Sequence, residues 1–246
     1  MSGKSWFEKV KVPYFLVDYQ GKMSVPQLMT YLIYVSGQQT NALTGPSADD
    51  YGLSWIIIQY QIEIYRYPVI GEMIETETVA NEYNRVFSYR DFNVRDESGE
   101  LLVKVTATFA LMDENRKLTK IPEEIVAPYG SEFSRKIRRN PKPEVSADTN
   151  FEYNHDYRVR YFDIDENNHA NNAHYFSWML DTMPTDFLKE YEVAAGNLMF
   201  EKEVRADEIV SASAQIVDDS DTLRTKHVIR VNGQRKAVAE FTWRKK

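Results

Sequence analysis

Between residues 163 and 172 the chain reads Asp163-Ile164-Asp165-Glu166-Asn167-Asn168-His169-Ala170-Asn171-Asn172. Carboxylate, carboxamide and imidazole groups recur at every second position: Asp163, Asp165, Asn167, His169 and Asn171. In extended backbone these would share one face, because strand side chains alternate with period two. The segment then opens into an apolar helical pattern, so a helix N-terminus closes it. Its unpaired N–H groups and dipole favour developing negative charge. The same residues admit blander readings. Asn171 or Asn172 can cap the helix, and a run of Asx residues can form a solvated turn. Asp163-x-Asp165-x-Asn167 also begins like a calcium loop, but position six is Asn168 and position twelve His174, where that loop needs Gly and Glu.

Other chemistries are excluded by what the chain lacks. It has no Cys among its 246 residues, which removes disulfides, thiolate nucleophiles and Cys-ligated metals. There is no Gly-x-Ser-x-Gly elbow, Gly-rich phosphate loop or His-Glu-x-x-His, so neither a metal nor a cofactor is expected. Of the four histidines, His155 and His227 fall on expected strands and read as structural, while His174 falls on the helix and receives no role. A net charge of −7 argues against a nucleic-acid surface. The longest nearly apolar run, Leu28 to Val35, is too short to span a bilayer. The N-terminus has neither an apolar signal core nor a glycine after Met1, so a cytoplasmic location without membrane attachment is expected.

The elements that must position these groups occur twice. Ser24-Val25-Pro26-Gln27 reads as a capping box, with Pro26 in the first turn. Leu28, Met29, Tyr31 to Val35 follow almost without polar relief, which predicts a helix buried nearly all round. Alternating strands come next: Ile56 to Ile64, Ile74 to Ala80, 86–95 and 101–112, the last two joined by Asp96-Glu97-Ser98-Gly99. After a Pro-containing stretch the order returns. A strand at 155–161 leads through the polar segment into a helix from about Asn172, ended or kinked by Pro184, and strands follow at about 198–204, 208–217, 222–231 and 236–243. At an offset of roughly 135 residues, Pro68-Val69-Ile70-Gly71-Glu72 aligns with Val204-Arg205-Ala206-Asp207-Glu208, and Thr108-Phe109 with Thr242-Trp243. The expectation is two copies of one α+β unit, each an antiparallel sheet around a central helix.

The spacing Asp165-x-Asn167-x-His169-x-Asn171-Asn172-x-x-Tyr175-x-x-Trp178 resembles the signature of the acyl-acyl-carrier-protein thioesterases, which end fatty acid synthesis in plastids and have bacterial relatives. Trp55 to Pro68 and Leu118-Thr119-Lys120-Ile121-Pro122 look like segments of the family's first half, so the likeness spreads over most of the chain. The resemblance implies a tandem of two hotdog units, in agreement with the repeat. The expected layout is an N-terminal hotdog at 1–122, a connector at 123–150 and a C-terminal hotdog at 151–246 carrying the motif. It also implies hydrolysis of fatty acyl-carrier thioesters, with release of free fatty acid. Asp165, Asn167 and His169 match the family's motif, and Glu203 looks like its second-half glutamate. Plant members carry a Cys after that Glu, whereas this chain has Val204, so a mechanism needing that thiol is excluded.

On this reading Glu203 is the general base toward water, Asn167 and His169 orient the water or carbonyl, and Asp165 fixes a neighbouring side chain. The start of the second helix would hold the oxyanion. The alternative makes His169 the base. An acyl tunnel is expected beside the first helix, walled by Met29, Tyr31, Leu32 and Tyr34. The connector carries Arg135, Lys136, Arg138, Arg139 and Lys142, which read either as a solvated charge run or as a docking strip for an acidic acyl carrier. Rival functions are an acyl-coenzyme A thioesterase and a non-catalytic acyl-binding protein. A hydratase fits less well, because its motif runs Asp-x-Asn-Pro-x-His. Homodimer formation stays optional, since two units in one chain already form a pseudo-dimer.

Overall fold

The computed structural model describes residues 3–138, 140–146, 149–219 and 222–246. Two compact units divide the chain, Met1–Asn140 and Pro141–Lys246.

The first unit contains β1 (Ser5–Lys11), α1 (Val25–Ala42), β2 (Leu53–Ile64), β3 (Met73–Tyr83), β4 (Phe87–Asp96), β5 (Leu101–Asp113), α2 (Glu123–Val126) and β6 (Glu132–Phe133). Antiparallel pairing sets the strand order β1-β3-β4-β5-β2, with β6 added in parallel to β3. The period-two pattern explains the sheet's two faces. Ile74, Thr76, Thr78 and Ala80 of β3 are buried, while Glu75 and Glu77 alternate with them on the more open face. Helix α1 packs on β1 and β3. Its buried side comprises Val25, Leu28, Met29, Tyr31, Leu32, Val35 and Gln39, whereas Tyr34 is exposed. The expected all-round burial is therefore too broad, and Tyr34 does not line an interior. The Ser24 side chain also makes no capping bond, although Ser24 stands at the N-cap and Pro26 in the first turn.

The second unit contains β7 (Tyr153–Arg158), α3 (Asn172–Leu180), α4 (Thr185–Glu190), β8 (Tyr191–Phe200), β9 (Ile209–Asp219), β10 (Thr222–Val231) and β11 (Gln234–Lys245). Its strand order is β7-β9-β10-β11-β8, again antiparallel throughout. Position for position this is the first unit's topology. Helix α3 packs on β9 and β10, with Tyr175, Phe176, Trp178, Met179 and Leu180 buried.

The stretch after residue 122 is not a free connector. Ile125 and Val126 of α2 enter a core cluster with Tyr83, Leu111 and Ile121, and Phe133 packs edge-on against Tyr83. Beyond Asn140, Val145 joins Val228 and Val238 in the core of the second unit. Apolar side chains too few to show periodicity tie each end of the stretch to its own unit.

Candidate active site

The motif segment is a tight loop rather than an extended face. After β7 a short 3-10 turn at Tyr161–Asp163 redirects the chain, and Ile164 bridges to Ala170 across the loop. Asp165 N–H donates to the His169 carbonyl at 2.8 Å, and Asn168 N–H donates to the Asp165 carbonyl at 3.0 Å. Closing the loop places Asn168 at φ 64°, the left-handed conformation that asparagine tolerates better than most residues. The Asp165 carboxylate accepts the backbone N–H of Asn167 at 2.9 Å. This contact is an Asx turn that holds the loop's main chain. Asn167 itself is exposed at the loop tip.

Two main-chain ties fasten this loop. Ala170 N–H donates to the Val204 carbonyl at 2.8 Å, and Asn171 N–H to the Asp163 carbonyl at 2.8 Å. The peptide between Glu203 and Val204 is gripped at both ends. Lys236 Nζ donates to the Glu203 carbonyl at 2.9 Å, and the Val204 main chain bonds the Tyr175 hydroxyl of α3. Burial pushes that phenol well above its ordinary range, so it stays neutral. The motif's tyrosine therefore anchors the strand-end loop that carries the glutamate.

The consequence is a meeting of residues far apart in the chain. His169 Nε2 lies 2.8 Å from Glu203 Oε2, with side chains 17% and 28% exposed. The pair is shielded but reachable. The contact joins an imidazole nitrogen to a carboxylate oxygen, a pairing by which each side chain can orient the other. Asn171 caps α3 by accepting from Ala173 N–H at 3.0 Å, and its carbonyl takes His174 N–H at 2.9 Å. Two of the N–H groups expected to hold an oxyanion are therefore spent on the cap. Among the described residues, Asn172 N–H is the donor left uncommitted at that helix end.

Sequence reasoning gave no role to the charged cluster behind the loop. Asp163, 2% exposed, accepts from Arg160 through Nε at 3.1 Å and Nη2 at 2.7 Å, and from the Arg160 backbone N–H at 2.8 Å. Burial would raise its pKa, but the Arg160 hydrogen bonds outweigh that and hold it below the usual carboxylate range. His174 lies 3.7 Å from the same carboxylate, and burial lowers its pKa. A polar residue that the strand pattern points inward, here Asp163, was the only signal in the sequence. His155 is an exposed ring against Tyr157, whereas His227 is fully buried.

The first unit repeats this loop bond for bond. Asp18 N–H donates to the Lys22 carbonyl, Gly21 N–H to Asp18, Met23 N–H to Pro68 and Ser24 N–H to Leu16. The Asp18 carboxylate accepts from Gln20 N–H, as Asp165 does from Asn167. Pro68 thus corresponds to Val204, as the sequence alignment had it. The chemistry is not repeated. Where the second unit has His169 and Glu203, the first has Lys22 and Tyr67, with the ammonium over the ring at 5.8 Å. One frame is built twice and only one copy holds an acid–base pair.

Comparison with known proteins places this architecture. Residues 3–129 match the family described as the acyl-ACP thioesterase N-terminal domain, and residues 146–245 match its C-terminal domain. A crystal structure from Lactobacillus plantarum, provisionally assigned as an oleoyl thioesterase, superposes with a TM-score of 0.94 at 33% identity, covering 99% of this chain and 97% of that one. The 12:0-ACP thioesterase from Umbellularia californica shares the fold, with a TM-score of 0.88 at 22% identity over 98% of this chain and 94% of that one. Among curated relatives, an acyl-[acyl-carrier-protein] hydrolase of Cuphea viscosissima is 31% identical over 79% of this chain and 49% of its own length. The chain thus spans about half the length of that relative, and 69% of the oleoyl-acyl carrier protein thioesterase of Coriandrum sativum. Both halves of the chain, in their family order and with the hotdog topology repeated, make it a member of the acyl-acyl-carrier-protein thioesterase family.

Proposed function

We propose that this chain hydrolyses fatty acyl-acyl-carrier-protein thioesters to free fatty acid and holo-carrier. The observation that carries this is the 2.8 Å contact between His169 and Glu203, absent from the matching frame of the first unit. Glu203 takes a proton from water, and the water oxygen attacks the thioester carbonyl carbon. The resulting oxyanion is held by Asn172 N–H. Its collapse breaks the C–S bond, and the thiolate of the phosphopantetheine arm leaves and takes up the proton. His169 orients the carboxylate through Nε2, Asp165 keeps the loop closed, and Asn167 supplies a carboxamide at its tip. Each positioned acid–base group of this kind contributes about 10²–10⁴ in rate.

The test is turnover of acyl-carrier substrate by Glu203→Ala and His169→Ala. Losses of roughly that size with unchanged circular dichroism are expected of both. Near-normal turnover by Glu203→Ala ends the assignment of the base. The carrier is preferred over coenzyme A because the named relatives act on carrier-bound chains. Arg135, Lys136, Arg138 and Lys142 are all exposed, as a docking strip for an acidic carrier requires, while Arg139 lies outside the described residues.

A further inference from the structure

The two copies of the loop serve as an internal control. Where the second unit has Arg160, Asp163 and His174, the first has Pro13, Leu16 and Gln27, and every main-chain bond of the loop still forms. Leu16 N–H donates to Pro13 at 3.1 Å, as Asp163 N–H does to Arg160 at 3.1 Å. The frame therefore closes without charge. Placing a carboxylate at 2% exposure is costly unless something is gained by it. What it gains is a fixed guanidinium. Nε and Nη2 of Arg160 both point at Asp163, the arginine side chain is 73% exposed, and Nη1 has no acceptor among the described residues. Through its carbonyl, Asp163 also holds Asn171, the cap of α3. A surface arginine is ordinarily a mobile chain; this one is pre-set, with its outer edge open to solvent beside the loop that bears His169.

Resting on the thioesterase reading, we propose that Arg160 is a binding residue for the phosphate of the substrate's phosphopantetheine arm, positioned for it by Asp163. A rigid fork of N–H donors suits a phosphate oxygen, and a preorganised one loses little freedom on binding. The phosphate occurs in a carrier and in coenzyme A; the carrier's phosphodiester is the assigned ligand.

The experiment compares one acyl chain on pantetheine, phosphopantetheine, holo-carrier and coenzyme A. Arg160→Gln should raise KM about tenfold for the phosphopantetheine and carrier esters, with kcat little changed, and leave the pantetheine ester unaffected. Because Arg160→Gln strands the buried Asp163, a second variant, Arg160→Gln with Asp163→Leu, removes both charges of the pair, which the first unit lacks, and should show the same selectivity. Arg158, exposed and paired with Asp207, corresponds to Lys11 and supplies the control: Arg158→Gln should not discriminate among the esters. Equal losses on esters with and without phosphate, or no loss on either, overturn the proposal. Loss confined to coenzyme A overturns the carrier assignment. If the unaltered chain hydrolyses none of the esters, the thioesterase reading fails. Affinity for acyl-phosphopantetheine over acyl-pantetheine by calorimetry then decides on Arg160, and equal affinities reject it.

Discussion

A carboxylate and an imidazole in contact act as one group, so their losses should not add. His169 and Glu203 lie 2.8 Å apart. If Glu203 is the base and His169 its orienting partner, the double variant His169→Ala/Glu203→Ala should turn over acyl-carrier substrate within about threefold of the worse single variant. Multiplicative losses, measured as kcat for all four members of the cycle, would show two independent roles and break the pair. Spacing marks Asp165, Asn167 and His169 as polar groups of one segment, and the family likeness singles them out together with Glu203; of these four, His169 and Glu203 meet in the structure. Their functions were less legible. Asp165 looked like a side-chain partner, yet its carboxylate sits on a backbone N–H because a loop needing a left-handed Asn168 must satisfy its own amides. Tyr175 appeared only as a motif letter, and its task of holding the Glu203–Val204 peptide is a contact across the fold. Asp163 stands in the alternating polar run but Arg160 does not, and nothing in a linear pattern shows which arginine will meet a buried carboxylate.

At the scale of elements, period-two alternation places β2 to β5 and β9 to β11 to within three residues at each end. It failed at the margins. Edge strand β1 was overlooked because its alternation runs only between exposed and half-buried residues. The start of β8 was lost in Tyr191 to Asn197, where small residues blur the faces. The capping box at Ser24 was read from types alone, while the cap that forms through a side chain is Asn171. Below α3 lies an element-scale vulnerability. His227 of β10 is fully buried, and its Nε2 is 2.7 Å from Thr225 Oγ1, which also accepts from Trp243 Nε1 at 2.8 Å. Thr225 Oγ1 thus links the buried ring to the Trp243 indole. Burial pushes this imidazole down to about 3, against a smaller opposing pull from the Met179 carbonyl. Above its ordinary value of 6.5 the ring is neutral whether folded or not, and no pH dependence arises. Below 6.5 the unfolded chain binds a proton that the folded one refuses, so stability falls as pH falls toward 3. Between pH 7.5 and 4.5 this costs up to roughly 2–3 kcal/mol. Urea unfolding of the unaltered chain and of His227→Leu at both pH values should show the variant losing less by about that amount. Parallel losses would mean that other groups set the acid limit.

For the whole molecule, the decisive quantity is charge at long range against charge at contact. The chain carries −7 overall, and the proposed partner is an acidic carrier, so two net negative bodies must meet. Over distances beyond the ~8 Å Debye length of physiological salt, that net repulsion is screened. At contact, the exposed cations Arg135, Lys136, Arg138 and Lys142 would attract instead. The two effects respond to salt with opposite sign. If net charge governs encounter, raising ionic strength from about 20 mM to 300 mM lowers KM for acyl-carrier substrate. If the basic strip docks the carrier, KM rises several-fold over the same range, and charge reversal of Arg135, Lys136 and Arg138 to Glu abolishes that dependence. An acyl-pantetheine substrate, which has no carrier body to dock, should show neither trend. We expect KM for the carrier substrate to rise with salt, because local fields at an interface act unscreened over the last few ångströms whereas the net charge of −7 is spread over the surface of 246 residues. A KM that falls with salt, or one indifferent to the charge reversal, would remove the strip from the docking surface and leave recognition to the phosphate arm and the acyl chain.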